Sequence, residues 1–169
     1  MKILIFGLPG SGKTTLAKPF AELINGVHIN ADAVRERYKD WDFSPEGRLR
    51  QAQRMRHLAD GVVMAGKVAI ADFVCPTERA RQEFAPDFTV WMNTIAEGRF
   101  EDTNKMFEEP PSCDYHVKEW FDDTHAQLVK VVETHVACLR IYITHCSPTD
   151  VGIERKENCG PKPEILEFF

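Results

Sequence analysis

The 169-residue sequence predicts an α/β fold in three layers, in which helices cover both faces of a doubly wound parallel sheet of about five strands. Two observations lead to this prediction. Short apolar runs of the kind buried in parallel sheets alternate along the chain with longer segments of helical periodicity. A glycine-rich loop also joins the first apolar run to the first helical segment, which is the order of a βα unit with an anion-binding turn.

Five apolar runs predict the strands, and they lie at residues 3–6, 27–30, 68–71, 88–92 and 139–143. Helical periodicity predicts the segments between and around them, at residues 15–24, 32–38, 46–65, 77–84, 97–106 and 117–137. We expect Asp32 to cap the second helix. After Ser147 the periodicity lapses among prolines and glycines. We therefore predict one domain over residues 1–146 and a loosely packed C-terminal tail over residues 147–169.

A phosphate-binding loop follows the first strand. Its eight residues match the pattern G-x-x-x-x-G-K-[ST] and are Gly7, Leu8, Pro9, Gly10, Ser11, Gly12, Lys13 and Thr14. Strand, glycine loop and helix N-terminus together form a cradle of backbone N–H groups for phosphate oxygens. In such a cradle Lys13 reaches the β- and γ-phosphates, and the Thr14 hydroxyl ligates Mg²⁺. With Thr15 opening the helix, the loop predicts a P-loop protein of the nucleoside triphosphate hydrolase or kinase type.

The composition predicts a small enzyme of the cytoplasm. Its 43% hydrophobic and 28% charged residues are ordinary for a globular domain, and its net charge of −5 argues against nucleic acid or an anionic membrane as a partner. No apolar run approaches the roughly 20 residues of a membrane span, and the first strand leaves no room for a signal peptide. The cysteines are five in number and form no C-x-x-C pair, which favours reduced thiols.

Two acidic residues follow predicted strands at the edge of the sheet that carries the phosphate loop. Asp32 comes after the second strand and Asp72 after the third, and in a doubly wound sheet both positions lie beside the loop. A carboxylate there holds a Mg²⁺-bound water or accepts the proton of an attacking hydroxyl. We interpret Asp32 as a catalytic residue that also caps its helix, with capping alone as the alternative. Asp72 is either part of the Mg²⁺ shell or a plain acid at a strand end.

Arginine is concentrated between residues 35 and 56 of this acidic protein. Most of these side chains are expected on the solvated face of the long helix, but Arg35 and Arg48 stand near element ends that face the predicted cleft. Two guanidinium groups at such a site suit a phosphate or sulfate on an acceptor substrate. Phe43 lies between them in sequence, and it either stacks on a base or belongs to the core.

Three segments together resemble the adenylyl-sulfate kinase family. They are the phosphate loop continued by Thr15-Leu16-Ala17, then Asn30-Ala31-Asp32-Ala33-Val34-Arg35, then Phe43-Ser44 followed by Arg48. Phe73-Val74-Cys75-Pro76 is similar to the family's F-I-S-P segment, and the likeness covers residues 2–105. The resemblance implies a kinase that uses ATP and Mg²⁺ to phosphorylate the 3′-hydroxyl of adenosine 5′-phosphosulfate. The product would be 3′-phosphoadenosine 5′-phosphosulfate, as in sulfate activation.

The resemblance also implies a role for each matching residue. Asp32 matches the family's catalytic acid, and Arg35 and Arg48 match the arginines that hold the phosphosulfate. Phe43 matches the aromatic residue that stacks on the substrate adenine. Other substrate-contacting positions of the family fall on Gln51, Val74 and Cys75, and Arg99 corresponds to a lid arginine on the transferring phosphoryl group. Members of the family are commonly dimers, so the resemblance implies a homodimer.

Departures from the family pattern leave the acceptor open. Asn30-Ala31-Asp32-Ala33 replaces the D-G-D-N motif, and Asp72 stands where the family usually carries serine, which adds a carboxylate that can stand in for the lost one. One alternative is a P-loop kinase of a different acceptor, such as a sugar, an antibiotic or a polynucleotide 5′-end. A second is an ATP-binding module that transfers nothing. A third, suggested by the patternless tail, is a degenerate or truncated chain.

Overall fold

A computed structural model describes residues 1–145 of the chain, with side chains through residue 137. The chain divides into two compact units, Met1–His135 and Val136–Phe169. The first unit contains the sheet and most of the helices, whereas only the last turns of one helix represent the second unit within the described residues. The tail predicted over residues 147–169 lies outside them, and the domain boundary at residue 146 stays a prediction.

The sheet has five strands, all parallel, in the order β2-β3-β1-β4-β5. The strands are β1 (Lys2–Gly7), β2 (Val27–Asn30), β3 (Ala69–Asp72), β4 (Phe88–Met92) and β5 (Tyr115–Val117). The order reverses at β1, which pairs with β3 on one side and with β4 on the other. The predicted α/β class with a five-stranded parallel sheet is confirmed. Such a reversal opens a crevice at the carboxyl ends of the strands, where ligands bind in folds of this kind.

Within residues 1–145, six helices connect and flank the strands. They are α1 (Lys13–Leu23), α2 (Ala31–Tyr38), α3 (Pro45–Met64), α4 (Glu78–Phe84), α5 (Glu101–Met106) and α6 (Thr124–His145). Side chains along β1 alternate between the two faces of the sheet, and residues 3–6 are all fully buried, so the core lies on both faces. Leu4 and Phe6 join an apolar cluster with Met55 of α3. None of the helices within residues 1–145 has the length and apolar character that a membrane span requires.

The fifth strand is not where the sequence predicted it. Residues 139–143 are helical and belong to α6, whereas the strand that pairs with β4 is the three-residue segment Tyr115–Val117. An apolar run of five residues is compatible with either a strand or a helix. No glycine or proline interrupts the chain between Thr124 and His145, so the helix continues through the run. The helix predicted from residue 117 accordingly begins later, at Thr124.

Two glycines of α3 lie in opposite surroundings. Gly47, in the first turn, is buried against the loop that joins α2 to α3, and a Cβ atom built on it would lie 2.5 Å from the backbone oxygen of Asp42. Gly61, about four turns further on, is exposed and has no atom within 4 Å of such a Cβ. The first glycine therefore permits a close approach of two chain segments, whereas the second is a helical position with open space around it.

Candidate active site

The phosphate loop lies between β1 and α1, at the reversal point of the strand order. Gly12 has a φ of 87°, in the left-handed region, and serves as the N-cap of α1. Gly7 leaves β1 so close to β4 that a Cβ atom would lie 2.3 Å from the backbone oxygen of Met92. Both positions require glycine, one for its backbone angle and the other for lack of space. The N-terminus of α1 therefore opens directly onto the crevice, as an anion cradle requires.

Lys13 is poised inside this loop. Its Nζ atom donates a hydrogen bond of 2.7 Å to the backbone oxygen of Leu8. Burial lowers the pKa of Lys13 to about 8, and the negative charges of Asp72 and Asp32 oppose that change without cancelling it. A desolvated ammonium group held beside the helix N-terminus is placed to meet a phosphate group.

Four polar side chains from β2, β3 and α1 converge at the carboxyl edge of the sheet. Asp72 is at their centre, with its side chain 1% exposed. Its Oδ2 atom accepts a hydrogen bond of 2.5 Å from Thr14 Oγ1, and its two oxygens accept bonds of 3.0 and 3.2 Å from Asn30 Nδ2. His28 Nε2 lies 3.0 Å from Asp72 Oδ1. We call these four residues the Asp72 cluster; Asn30 and Asp72 are register partners on neighbouring strands.

The Asp72 cluster fits a magnesium ion. Thr14 donates a hydrogen bond to Asp72 and its oxygen lies 3.4 Å from Asn30 Nδ2, so one lone pair of that oxygen remains available to a hard cation, which prefers such oxygen ligands. Among residues 1–145, no group of three or more histidine, cysteine, aspartate or glutamate side chains could enclose a metal ion by itself. A magnesium ion at Thr14 would therefore complete its shell with phosphate oxygens and water, as this ion does in nucleotide sites.

Asp32 is exposed and lines the same cleft as the phosphate loop. The residue that caps α2 is Asn30, whose Oδ1 atom accepts a hydrogen bond of 3.0 Å from the backbone N–H of Ala33. The prediction that Asp32 caps this helix is therefore wrong, because the helix begins one residue before it. Within the described residues, no hydrogen bond or ion pair engages the Asp32 carboxylate, which leaves it available to a ligand.

Two arginines and a phenylalanine form a second group in the lining of the same cleft. The guanidinium carbon of Arg35 lies 4.6 Å from the centre of the Phe43 ring, and that of Arg48 lies 5.6 Å from it. Arg48 donates to the backbone oxygen of Phe43 (2.9 Å) and to Thr103 Oγ1 of α5 (3.0 Å). Burial lowers the pKa of both arginines. The Phe43 ring remains 47% exposed, so this ring is a surface on which a planar ligand can stack.

Charge pairs hold the segment that carries Phe43, residues 39–44, which we call the α2–α3 loop. Arg35 Nη1 donates to the backbone oxygens of Asp40 and Asp42, both at 3.0 Å. Arg50 and Arg54 of α3 bind the Asp40 carboxylate, and their hydrogen bonds hold the pKa of Asp40 well below its usual range. Arg50 also pairs with the Asp42 carboxylate at 3.0 Å. The α2–α3 loop is thus fixed to α3 by several charge-assisted bonds.

The remaining wall residues also meet at this cleft. Gln51 is buried, donates to the backbone oxygen of Ala31 (3.2 Å) and accepts from Arg54 (2.7 Å). The cleft has a volume of about 750 Å³. The structure brings all the predicted acceptor-side residues to its lining, and these are Asp32, Arg35, Phe43, Arg48, Gln51, Val74 and Cys75.

Beside the phosphate loop lie one further residue that the sequence predicted, Arg99, and one that it did not predict, Trp120. Arg99 is exposed beside the phosphate loop, and its Nε atom lies 3.9 Å from the position that a Cβ on Gly10 would take. The indole of Trp120 lies 3.7 Å from the corresponding position on Gly12 and is 39% exposed. Trp120 follows β5, in a segment for which the sequence predicted a helix, and an aromatic residue in a helix is more often part of a core.

Trp41 is another site residue that the sequence did not predict. This residue lines the cleft beside Phe43, and the centres of the two rings are 6.3 Å apart.

Two sequence comparisons identify proteins that are similar to this chain. A family model described as an AAA domain matches residues 3–89, just over half of the chain. A probable adenylyl-sulfate kinase of Aeropyrum pernix is 34% identical over 88 residues, which cover 47% of this chain and 46% of that relative. The resemblance predicted from the motifs is therefore confirmed, although the match spans less than half the length of the curated relative.

Solved structures share the fold. An APS kinase of Mycobacterium tuberculosis, solved in complex with AMPPNP and APS, superposes with a TM-score of 0.63 at 15% identity, covering 78% of this chain and 96% of that one. A sugar kinase from a Janibacter species superposes with a TM-score of 0.57 at 17% identity, covering 86% and 98%. At these identities the likeness establishes the fold, which kinases of different acceptors share.

Proposed function

The chain belongs to the AAA-domain family whose model matches residues 3–89, and from that premise we propose that it is an ATP-dependent kinase of a small-molecule acceptor. The acceptor that we propose is the 3′-hydroxyl of adenosine 5′-phosphosulfate. One observation carries the proposal. A single cleft is lined by residues of the phosphate loop, by Thr14, Asn30 and Asp72 of the Asp72 cluster, and by the Arg35–Phe43–Arg48 group. It is also lined by Asp32, whose carboxylate no hydrogen bond or ion pair engages within residues 1–145.

On the donor side, the chain's own groups position the triphosphate. The backbone N–H groups at the start of α1 and the ammonium group of Lys13 bind the β- and γ-phosphate oxygens. Thr14 and Asp72 are the residues that would hold Mg²⁺, which when bound neutralises charge on those oxygens. Arg99, exposed near Gly10, can contact the transferring group. Catalysis of this kind depends on positioning and electrostatic stabilisation.

Asp32 acts on the acceptor hydroxyl. Its carboxylate accepts a hydrogen bond from the hydroxyl, orients the oxygen toward the γ-phosphorus and takes the proton as the new P–O bond forms and the bond to ADP breaks. This role suits a carboxylate that no protein donor occupies in residues 1–145. The capping of α2 by Asn30 supports this role, because helix capping then does not explain the presence of Asp32.

The Arg35–Phe43–Arg48 group has the chemistry to bind a nucleotide with an anionic tail. Arg35 and Arg48 supply two partly desolvated cations for the phosphosulfate, and the exposed ring of Phe43 supplies a stacking face for adenine. Gln51, Val74 and Cys75 line the wall beside them. These assignments come from the resemblance to adenylyl-sulfate kinase, supported by their meeting in one cleft.

The test is an ADP-release assay with ATP, Mg²⁺ and adenosine 5′-phosphosulfate, run on the wild-type chain and on Lys13→Ala. We expect turnover that depends on Lys13 and a product phosphorylated on the 3′-oxygen. ADP release that is independent of the acceptor, or equal in Lys13→Ala, would contradict the proposal. ATP binding without turnover on this acceptor would instead support the non-catalytic module or the kinase of a different acceptor.

A kinase of a different acceptor has one observation in its favour. Arg35 already donates from Nη1 to two backbone oxygens of the α2–α3 loop, so part of its guanidinium group is not available to a substrate anion. A sugar acceptor needs fewer cationic contacts than a phosphosulfate. A competition experiment distinguishes the two acceptors. A nucleotide phosphosulfate should displace a bound sugar or antibiotic only if both ligands bind in this cleft. If the sugar is the true acceptor, that displacement should be weak.

A further inference from the structure

His28 contacts the Asp72 cluster from the edge strand of the sheet. It lies on β2, the outermost strand on that side, and its side chain is 18% exposed. Its Nε2 atom is 3.0 Å from Asp72 Oδ1. A carboxylate only accepts hydrogen bonds, so His28 donates in this contact and carries its proton on Nε2.

The hydrogen bonds around Asp72 divide between its two oxygens. Oδ1 accepts from His28 and from Asn30, whereas Oδ2 accepts from Thr14 and, at a longer distance, from Asn30. Donors on both oxygens fix the rotation of the carboxylate group about its Cβ–Cγ bond. Without His28, the amide of Asn30 alone would hold Oδ1, and that amide is already committed to capping α2 through its own oxygen.

The orientation of Asp72 matters because it determines where the Thr14 hydroxyl proton lies. When Oδ2 accepts the Thr14 hydrogen bond, the lone pairs of Thr14 Oγ1 are directed away from Asp72. Asn30 Nδ2 lies 3.4 Å from the same oxygen, and the other lone pair remains available to a cation. Partners that orient a metal-binding group in this way commonly change metal affinity about 10- to 100-fold when they are removed.

We propose that His28 is a positioning residue that fixes the Asp72 carboxylate and thereby presents the Thr14 hydroxyl to the nucleotide-bound magnesium ion. The inference rests on the proposed function only in requiring that the chain binds a nucleotide together with Mg²⁺; it does not depend on the acceptor. It also differs from a purely structural role, since a structural histidine would affect folding and metal-free nucleotide binding together.

The experiment measures the binding of AMPPNP by calorimetry, once with Mg²⁺ and once with EDTA. His28→Leu removes the donor, His28→Gln keeps an N–H at a similar reach, and His57→Leu on the exposed face of α3 is the matched control. We expect His28→Leu to weaken Mg²⁺-dependent binding by about tenfold and to leave metal-free binding within about twofold. His28→Gln should recover most of the loss, and His57→Leu should match the wild type.

A double-variant cycle keeps the inference falsifiable if His28→Leu is less stable. If His28 acts through Asp72, then His28→Leu should cause no further loss of Mg²⁺-dependent binding in an Asp72→Asn background. Unchanged Mg²⁺-dependent binding in His28→Leu, equal losses with and without Mg²⁺, or additive losses in the cycle would each overturn the inference and leave the proposed kinase intact. A wild-type chain whose AMPPNP affinity is indifferent to Mg²⁺ would overturn both.

Discussion

Replacing Gly47 with alanine should impair acceptor binding while leaving nucleotide binding intact. A Cβ atom at this position would lie 2.5 Å from both Cγ and the backbone oxygen of Asp42, and 2.6 Å from Oδ2. Contacts this short force the neighbour to move, and one of the three atoms is backbone, so a rotation of the Asp42 side chain alone does not relieve them. Because the same oxygen accepts from Arg35 and the next residue is Phe43, the displacement passes directly into the stacking face.

The magnitude follows from two opposing effects. Alanine is favoured over glycine in a helix by about 0.5–1 kcal/mol, but overpacking a tight contact costs about 1–3 kcal/mol. The net expectation for Gly47→Ala is a loss of about 1–2 kcal/mol, which corresponds to a fall in Tm of about 3–6 °C in a domain of this size. If the strain is relieved by moving the α2–α3 loop, acceptor affinity should fall about 5- to 30-fold.

Gly61→Ala in the same helix is the matched control. It introduces the same methyl group into open space, so it should stabilise the protein by about 0.5–1 kcal/mol and leave both ligands unaffected. The assay combines thermal unfolding with calorimetric binding of AMPPNP and then of adenosine 5′-phosphosulfate. A Gly47→Ala protein as stable as Gly61→Ala, with normal acceptor affinity, would refute the reasoning, because the α2–α3 loop would then yield without cost.

Three further predictions concern the donor side and the chemistry. Bound phosphates favour the charged form of Lys13, and without a ligand this residue loses its proton as the pH rises through about 8. Affinity for Mg²⁺-bound ATP should therefore fall about tenfold between pH 7 and pH 9. Calorimetry across that range should show no such fall for Lys13→Met. Asp32→Asn should lower turnover by at least about 100-fold with AMPPNP affinity within twofold of the wild type, and steady-state assays showing near-normal turnover would remove Asp32 from the mechanism. Because the indole of Trp120 lies against Gly12, ATP should change the intrinsic fluorescence of the wild type and of Trp41→Phe, whereas Trp120→Phe should lose most of that signal; the reverse result would place the donor nucleotide elsewhere.

The sequence predicted the parts of the site that depend on local pattern or on strand order. The phosphate loop is contiguous in sequence, and the geometry of this one turn requires its glycines, its lysine and its threonine. Asp72 lies 58 residues from Thr14, yet its place beside the phosphate loop was expected, because the parallel strands that precede the loop and Asp72 end at one edge of the sheet. The four strands β1 to β4 were predicted from short apolar runs; β1, β3 and β4 are buried almost throughout, whereas only Ile29 is buried in β2.

Other features depend on contacts that no local pattern records. The strand β5 has only three residues, so its periodicity is too short to recognise, and an apolar run in α6 was taken for it. Capping by Asn30 rather than Asp32 depends on an N-cap position that differs by only two residues. The contact of His28 with Asp72, and that of Trp120 with Gly12, join residues distant in sequence whose types alone indicate no role.

The bonds that fix the α2–α3 loop have a consequence for how substrate preference changes over time. Asp40 and Asp42 are paired with Arg35, Arg50 and Arg54, so nearly every strong contact of the loop lies within one contiguous stretch of chain. The nucleotide cradle contributes none of these bonds. On the proposed function, exchange of that one stretch of chain would change the acceptor preference and leave the phosphate loop unaltered.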